Sequence, residues 1–138
     1  MAGIPAAETK PAPVGRTLAV DDEPGVLRLI SRALGAEGIE VDQASDGEDG
    51  LRRALATPYD VVVLDLQLPK LDGMTVLRRL LSARPGQAVI ISTCRNDPWT
   101  RNECLGAGAR AFLPKPFSLV QLLATVAAAC PRRVSETP

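Results

Sequence analysis

Four short segments carry the residue types that could do chemistry: Asp21-Asp22-Glu23, Asp65, Thr93 and Lys115. Each stands just past a short aliphatic run. Carboxylates brought together repel, and two unit charges about 4 Å apart cost about 4 kcal/mol at an effective dielectric near 20. Such a cluster either raises a pKa or recruits a cation. An all-oxygen donor set with few protein ligands and open positions suits Mg2+, which keeps several waters and shares itself with phosphate oxygens. Thr93 adds a hydroxyl and Lys115 a fixed positive charge. Together these groups describe a site that accepts a phosphoryl group onto an aspartate.

The composition excludes several other chemistries. The chain has no histidine, which removes Ser-His and Cys-His nucleophile pairs, His-containing zinc sites and a phosphohistidine carried by the chain itself. Its three cysteines, Cys94, Cys104 and Cys130, form no CxxC pair and read as inert reduced thiols of a cytoplasmic protein. With 16 basic and 16 acidic residues the net charge is zero, which argues against a surface given to nucleic acid or anionic lipid. The longest strongly apolar charge-free stretch, Phe117 to Cys130, has 14 residues and is too short to span a bilayer. The 138 residues suit one domain, and 46% hydrophobic with 3% aromatic residues implies an aliphatic core.

The elements that must position the four segments alternate in type. Leu18-Ala19-Val20 reads as a strand ending at the acidic cluster, and Pro24 to Glu37 as a helix on Val26, Leu27, Ile30 and Leu34, with Gly38 as its stop. Ile39 and Val41 alternate with Glu40 and Asp42 as a half-exposed edge strand would. Asp46 can cap a helix that ends before Pro58. Val61-Val62-Val63-Leu64 is the mark of a strand buried on both faces, and a helix follows from about Met74 to Ala83. Ala88 to Ile91 reads as a strand running into Ser92-Thr93. Asn96-Asp97-Pro98 opens a helix that ends near Gly106-Ala107-Gly108. Ala111-Phe112-Leu113 is a last strand, and Ser118 can cap a helix through about Ala129. Strict alternation of five strands and five helices gives an α/β fold, a parallel sheet with helices on both faces, whose functional site lies beyond the carboxyl ends of the strands.

Val20-Asp21-Asp22-Glu23-Pro24, Leu64-Asp65-Leu66-Gln67-Leu68-Pro69 with Asp72-Gly73, Ser92-Thr93, Gly108-Ala109 and Lys115-Pro116-Phe117, in this order, resemble the receiver domain of bacterial response regulators over about residues 16–130. The resemblance implies a flavodoxin-like doubly wound fold with strand order 2-1-3-4-5. It implies that Asp65 is the phosphoacceptor, supplied by a partner histidine kinase or phosphotransfer protein, in a signalling protein and not an enzyme. Asp22 and Asp65 would bind Mg2+ through their side chains, Gln67 through its backbone carbonyl and Asp21 through water. Thr93 would hydrogen-bond the phosphoryl group and Lys115 would pair with it. Movement of Thr93 would let Phe112 turn inward and change the face made by the fourth helix, fifth strand and last helix. The Lys115-Pro116 bond is expected to be cis. Glu23 reads as a helix-start charge and not a ligand.

The chain departs from the family pattern in places. Phe112 lacks the hydroxyl of the commoner Tyr, so a switch rests on packing. Cys94 stands where Ala is usual, Gln67 and Arg95 occupy positions that tune dephosphorylation, and Arg110 replaces an acidic residue common in dimerising DNA-binding members, which counts against their salt-bridged dimer. A haloacid-dehalogenase-type phosphatase would want a second Asp where Gln67 stands. A receiver-like scaffold that takes no phosphate is a third reading, set against the intact Asp22, Asp65, Thr93 and Lys115. In the last helix Leu119, Leu122, Leu123 and Val126 are expected to face the sheet. The opposite face, Val120, Ala124, Ala127 and Ala128, carries no charge. It is either a plain small-residue surface or a contact for a second copy (a homodimer), an output domain or another partner. Residues 1–15 read as a flexible tail and 131–138 as a tail or linker start, with no direct nucleic-acid binding expected of this chain.

Overall fold

The computed structural model describes residues 15–130, and both expected tails lie outside these residues apart from Gly15. Among the described residues the chain order is β1 (Arg16–Val20), α1 (Pro24–Gly35), β2 (Glu40–Ala44), α2 (Gly47–Ala56), β3 (Val61–Leu64), α3 (Gly73–Ala83), β4 (Val89–Thr93), α4 (Pro98–Gly106), β5 (Ala111–Pro114) and α5 (Leu119–Ala129). The strands form one parallel sheet in the order β2-β1-β3-β4-β5. This is the flavodoxin-like arrangement, and the order switches direction between β1 and β3, where a crevice opens beyond their carboxyl ends.

Period-two alternation divides the sheet residues between two cores. Ala19, Val61, Val63 and Ile90 pack with Leu27, Ile30, Leu34, Leu122 and Val126 of α1 and α5. Leu18, Val20, Val62, Leu64 and Ile91 pack on the other face with Ala54, Val76, Leu77, Leu80 and Cys104 of α2, α3 and α4. β3 is buried along its whole length, as its unbroken aliphatic run requires. β2 is a half-exposed edge.

Helix starts follow side-chain caps. Asp46 accepts from the Asp49 N–H, Asp72 from Thr75, Asp97 from Thr100 and Ser118 from Gln121, the last within a capping box. The Asp72 cap starts α3 at Gly73, one residue ahead of the Met74 expected from sequence. The start of α1 differs from the rest. Pro24 occupies its first turn, but Glu23 makes no side-chain cap, because its carboxylate is drawn elsewhere, as described below.

One packing expectation is corrected. Leu122, Val126 and Ala129 are the buried residues of α5, whereas Leu119 is 48% exposed. The sheet-facing phase runs through 122, 126 and 129. Leu119, at the first turn, lies with Leu123 along a groove against α1. Val120, Ala124 and Ala128 are exposed, although that face carries no charge. Among the described residues no helix is long and apolar enough to cross a membrane.

Candidate functional site

Sheet register brings the acidic segments together. Val20 pairs with Leu64, so the next residues, Asp21 and Asp65, leave the sheet side by side. Their backbone N–H groups are held by Ala44 O and Val20 O, each at 3.0 Å. Thr93 pairs with Pro114, so Lys115 follows at the same rim, and its N–H donates to Thr93 O at 2.9 Å. The Lys115-Pro116 bond is cis, as expected.

The side chains converge. One carboxylate oxygen from each of Asp21, Asp22 and Asp65 lies within 4.8 Å of the others. The Lys115 ammonium sits 2.8 Å from Asp21 Oδ2, 3.2 Å from Asp65 Oδ2 and 3.2 Å from Glu23 Oε1. The Lys115, Asp21 and Asp65 side chains are only 8%, 3% and 6% exposed, whereas Asp22 is exposed at the mouth. The Glu23 and Gln67 backbone N–H groups donate to Asp21 Oδ1 at 2.9 Å and to Asp65 Oδ1 at 3.3 Å. Each buried carboxylate therefore keeps one oxygen on backbone and one on the ammonium.

Electrostatics follow from burial and charge. Burial raises the Asp21 pKa above its ordinary value, against the opposing pull of the Lys115 hydrogen bond and the Glu23 N–H. Burial alone would lower Lys115. The hydrogen bond and charge of Asp21, then Asp65 and Glu23, outweigh it and hold the ammonium above its ordinary value. Lys115 contacts Asp21, Glu23 and Asp65, and Asp22 stands beside two of them, so carboxylates outnumber the ammonium. A hard, all-oxygen donor set with a negative surplus and one exposed member fits a divalent cation such as Mg2+.

The remaining sequence candidates occupy the same rim. Thr93 is fully buried, and its Oγ1 accepts from the Arg95 N–H at 3.3 Å. Phe112 is half-buried against the Leu64 and Ile91 core. Because Phe112 pairs with Ile91 in a parallel ladder, Thr93 and Phe112 lie on the same face of the sheet, one rung apart. Gln67 is exposed, and so is Cys94.

Two contributors were not legible in sequence. Glu23 reaches the lysine instead of acting only as a helix-start charge, and no spacing rule distinguishes those uses. Gly73 is the other. A Cβ there would lie 2.1 Å from Asp65 O and 2.5 Å from Leu66 Cα. Only glycine lets the start of α3 press against the backbone that presents Asp65. The Asp72-Gly73 pair marked a loop but not this close approach.

Comparison with known proteins agrees with this geometry. Residues 17–127 match the family model described as the response regulator receiver domain. The chain is 39% identical over 113 residues to the response regulator MprA of Mycobacterium leprae (strain TN), covering 82% of this chain and 50% of that protein. It thus spans about half the length of the curated relatives it matches. A CheY-like response regulator receiver domain protein from Methanospirillum hungatei JF-1 superposes with a TM-score of 0.82 at 28% identity, covering 89% of this chain and 98% of that one. CheY in the CheX-CheY-BeF3-Mg+2 complex from Borrelia burgdorferi is similar at a TM-score of 0.80 and 27% identity, over 83% and 87% of the two chains.

Proposed function

The chain belongs to the response regulator receiver domain family of two-component signalling, and from that premise we propose that it takes a phosphoryl group on Asp65 from a partner histidine kinase or phosphotransfer protein. The observation that carries the reading is the convergence of three carboxylates within 4.8 Å on an ammonium 2.8 Å from Asp21 and 3.2 Å from Asp65. In the proposed transfer, an Asp65 oxygen attacks phosphorus, the bond from phosphorus to the donor imidazole nitrogen breaks, and an acyl phosphate forms. Lys115 neutralises charge on the transferred group, and the Thr93 hydroxyl donates to it.

Asp22 and Asp65 would hold Mg2+ by side chains, Asp21 through water and Gln67 through its carbonyl. The ion would supply charge neutralisation for the incoming phosphoryl oxygens. Asp65 must give up its contact with Lys115 Nζ as the lysine turns to the new oxygens, and Asp21 stays within reach to keep the ammonium placed.

The role is signalling rather than turnover of a substrate. We place the protein in the cytoplasm, with residues 16–130 as the receiver unit. Thr93 and Phe112 share a sheet face, which supports a switch in which Thr93 moves toward the phosphoryl group and the Phe112 ring follows into the vacated space. The readout would be the face of α4, β5 and α5. Trp99, the chain's one tryptophan and 69% exposed on α4, should report it. Its emission is expected to change when beryllofluoride is added with Mg2+, and to stay constant in Asp65→Asn. An unchanged wild-type signal together with no Mg2+ affinity would favour the scaffold reading instead.

A further inference from the structure

We infer that the N-terminus of α2 grips the strained turn Pro69-Lys70-Leu71 and so fixes the Gln67 carbonyl for the metal, which makes Gly47 a positioning residue that sets the choice of Mg2+ over Ca2+. This rests on the phosphoacceptor reading above and names what makes its metal site selective.

The turn is out of the ordinary. Among the described residues Lys70 is the non-glycine residue with a positive φ, at 71°. The Leu71 N–H donates to Pro69 O, two residues back, at 2.8 Å. A three-residue turn of this hand is rare and strained, and it persists only where surrounding contacts over-determine it. Those contacts come from α2. The Gly47 N–H donates to the same Pro69 O at 3.1 Å. A Cβ on Gly47 would overlap Leu71 O and lie 2.7 Å from Leu71 C, so only glycine admits the approach. Asp46, the cap of α2, places its Oδ2 3.7 Å from Lys70 Nζ. Leu68 and Leu71 pack against the same core as Leu51 of α2.

The other end of the segment is held as firmly. The Gly73 N–H donates to Leu66 O at 2.8 Å, and the missing side chain of Gly73 lets α3 press on the Asp65 carbonyl. Gln67 lies between the two grips, with its N–H on Asp65 Oδ1 at 3.3 Å and its side chain exposed. Backbone contacts on either side, and not its own side chain, therefore set where its carbonyl stands. Mg2+ is small and demands near-ideal octahedral geometry, whereas Ca2+ accepts longer and more variable coordination. A ligand held from both ends favours Mg2+. Loosening one end costs Mg2+ more than Ca2+.

The test measures Mg2+ and Ca2+ affinities of the full chain by competition with Mn2+, whose free-ion spin-resonance signal falls on binding. Lys70 is exposed, so Lys70→Gly and Lys70→Val ask little of the core and both remove the contact with Asp46. They differ in the φ they accept: glycine takes positive values freely and a β-branched residue resists them. Lys70→Val is expected to lower Mg2+ affinity about tenfold and Ca2+ affinity about threefold or less, while Lys70→Gly keeps both within about twofold of wild type. Gly47→Ala should shift the Mg2+ to Ca2+ ratio as Lys70→Val does. Should Gly47→Ala fail to fold, the Lys70 pair decides alone. Leu122→Ala, in the core on the other face of the sheet, is the control that lowers stability and leaves the ratio unchanged. The inference is overturned by Lys70→Val binding Mg2+ as wild type does, or by Lys70→Gly losing as much as Lys70→Val. Mg2+ and Ca2+ affinities that fall by one common factor, or a ratio that Leu122→Ala shifts equally, overturn it too. A wild type that binds neither ion overturns the phosphoacceptor reading itself, and this inference with it.

Discussion

The two residues that flank β5 are both cations and serve opposite purposes. Lys115, at its carboxyl end, is 8% exposed and touches three carboxylates. Arg110, at its amino end, is exposed and meets carbonyl oxygens. A buried ammonium must be matched by opposite charge, because its desolvation penalty is otherwise several kcal/mol. An exposed guanidinium keeps its water and needs no such match. The first kind of charge therefore writes its partners into the sequence, and the second leaves its purpose to the shape around it.

The largest expected effect that would break this contrast is in stability. Lys115→Ala leaves Asp21 and Asp65 buried without their cation, at an expected cost of about 3–5 kcal/mol in denaturant unfolding with chelator present. Arg110→Ala should cost about 1 kcal/mol or less. Equal losses at the two ends of β5 would remove the distinction.

The corrected face of α5 gives the next test. Leu122 is fully buried, so Leu122→Ala should cost about 3 kcal/mol in unfolding free energy. Leu119 is 48% exposed, so Leu119→Ala should cost about 0.5 kcal/mol or less. A large loss at Leu119 would mean that its outward placement is wrong.

A smaller effect concerns the carboxylate rim. Free Mg2+ at ten times its dissociation constant should raise stability by about 1.4 kcal/mol if only the folded rim binds it. Chelator should reverse the gain, and Asp22→Ala should lose it. A gain that survives in the variant would place the ion elsewhere.

The smallest effect at neutral pH is a control that involves neither cation. Tyr59, the one tyrosine, donates to Asp42 Oδ2 at 2.6 Å. Burial first, and this hydrogen bond second, push its pKa up from 10.0 to about 12. The folded state keeps the phenolic proton longer than the unfolded one. Its contribution is therefore complete below pH 10 and is lost as pH rises toward 12. Phenolate absorbance should show the raised midpoint, and Asp42→Asn should lower it. An ordinary midpoint would show the hydrogen bond to be absent.

What could be read in advance follows the same division. The aliphatic run of Val61 to Leu64 and the residues just past each strand specified a parallel sheet and one shared rim, because burial and charge both constrain residue type. Helix caps at Asp46 and Ser118 were legible for the same reason, as each is a local side-chain-to-backbone bond, and the start of α4 was legible from Pro98 in its first turn. Glu23, Gly73 and Leu119 were not. Glu23 depends on a lysine 92 positions away. Gly73 depends on the backbone of Asp65 and Leu66, and Leu119 on the end of a helix overhanging its sheet. None of these leaves a periodic mark.

Intact mass after incubation with acetyl phosphate and Mg2+ tests the central claim most directly. The wild type should gain one phosphoryl group, and neither Asp65→Asn nor the wild type in chelator should gain any. Uptake by Asp65→Asn equal to that of the wild type, or none by the wild type, would contradict the account.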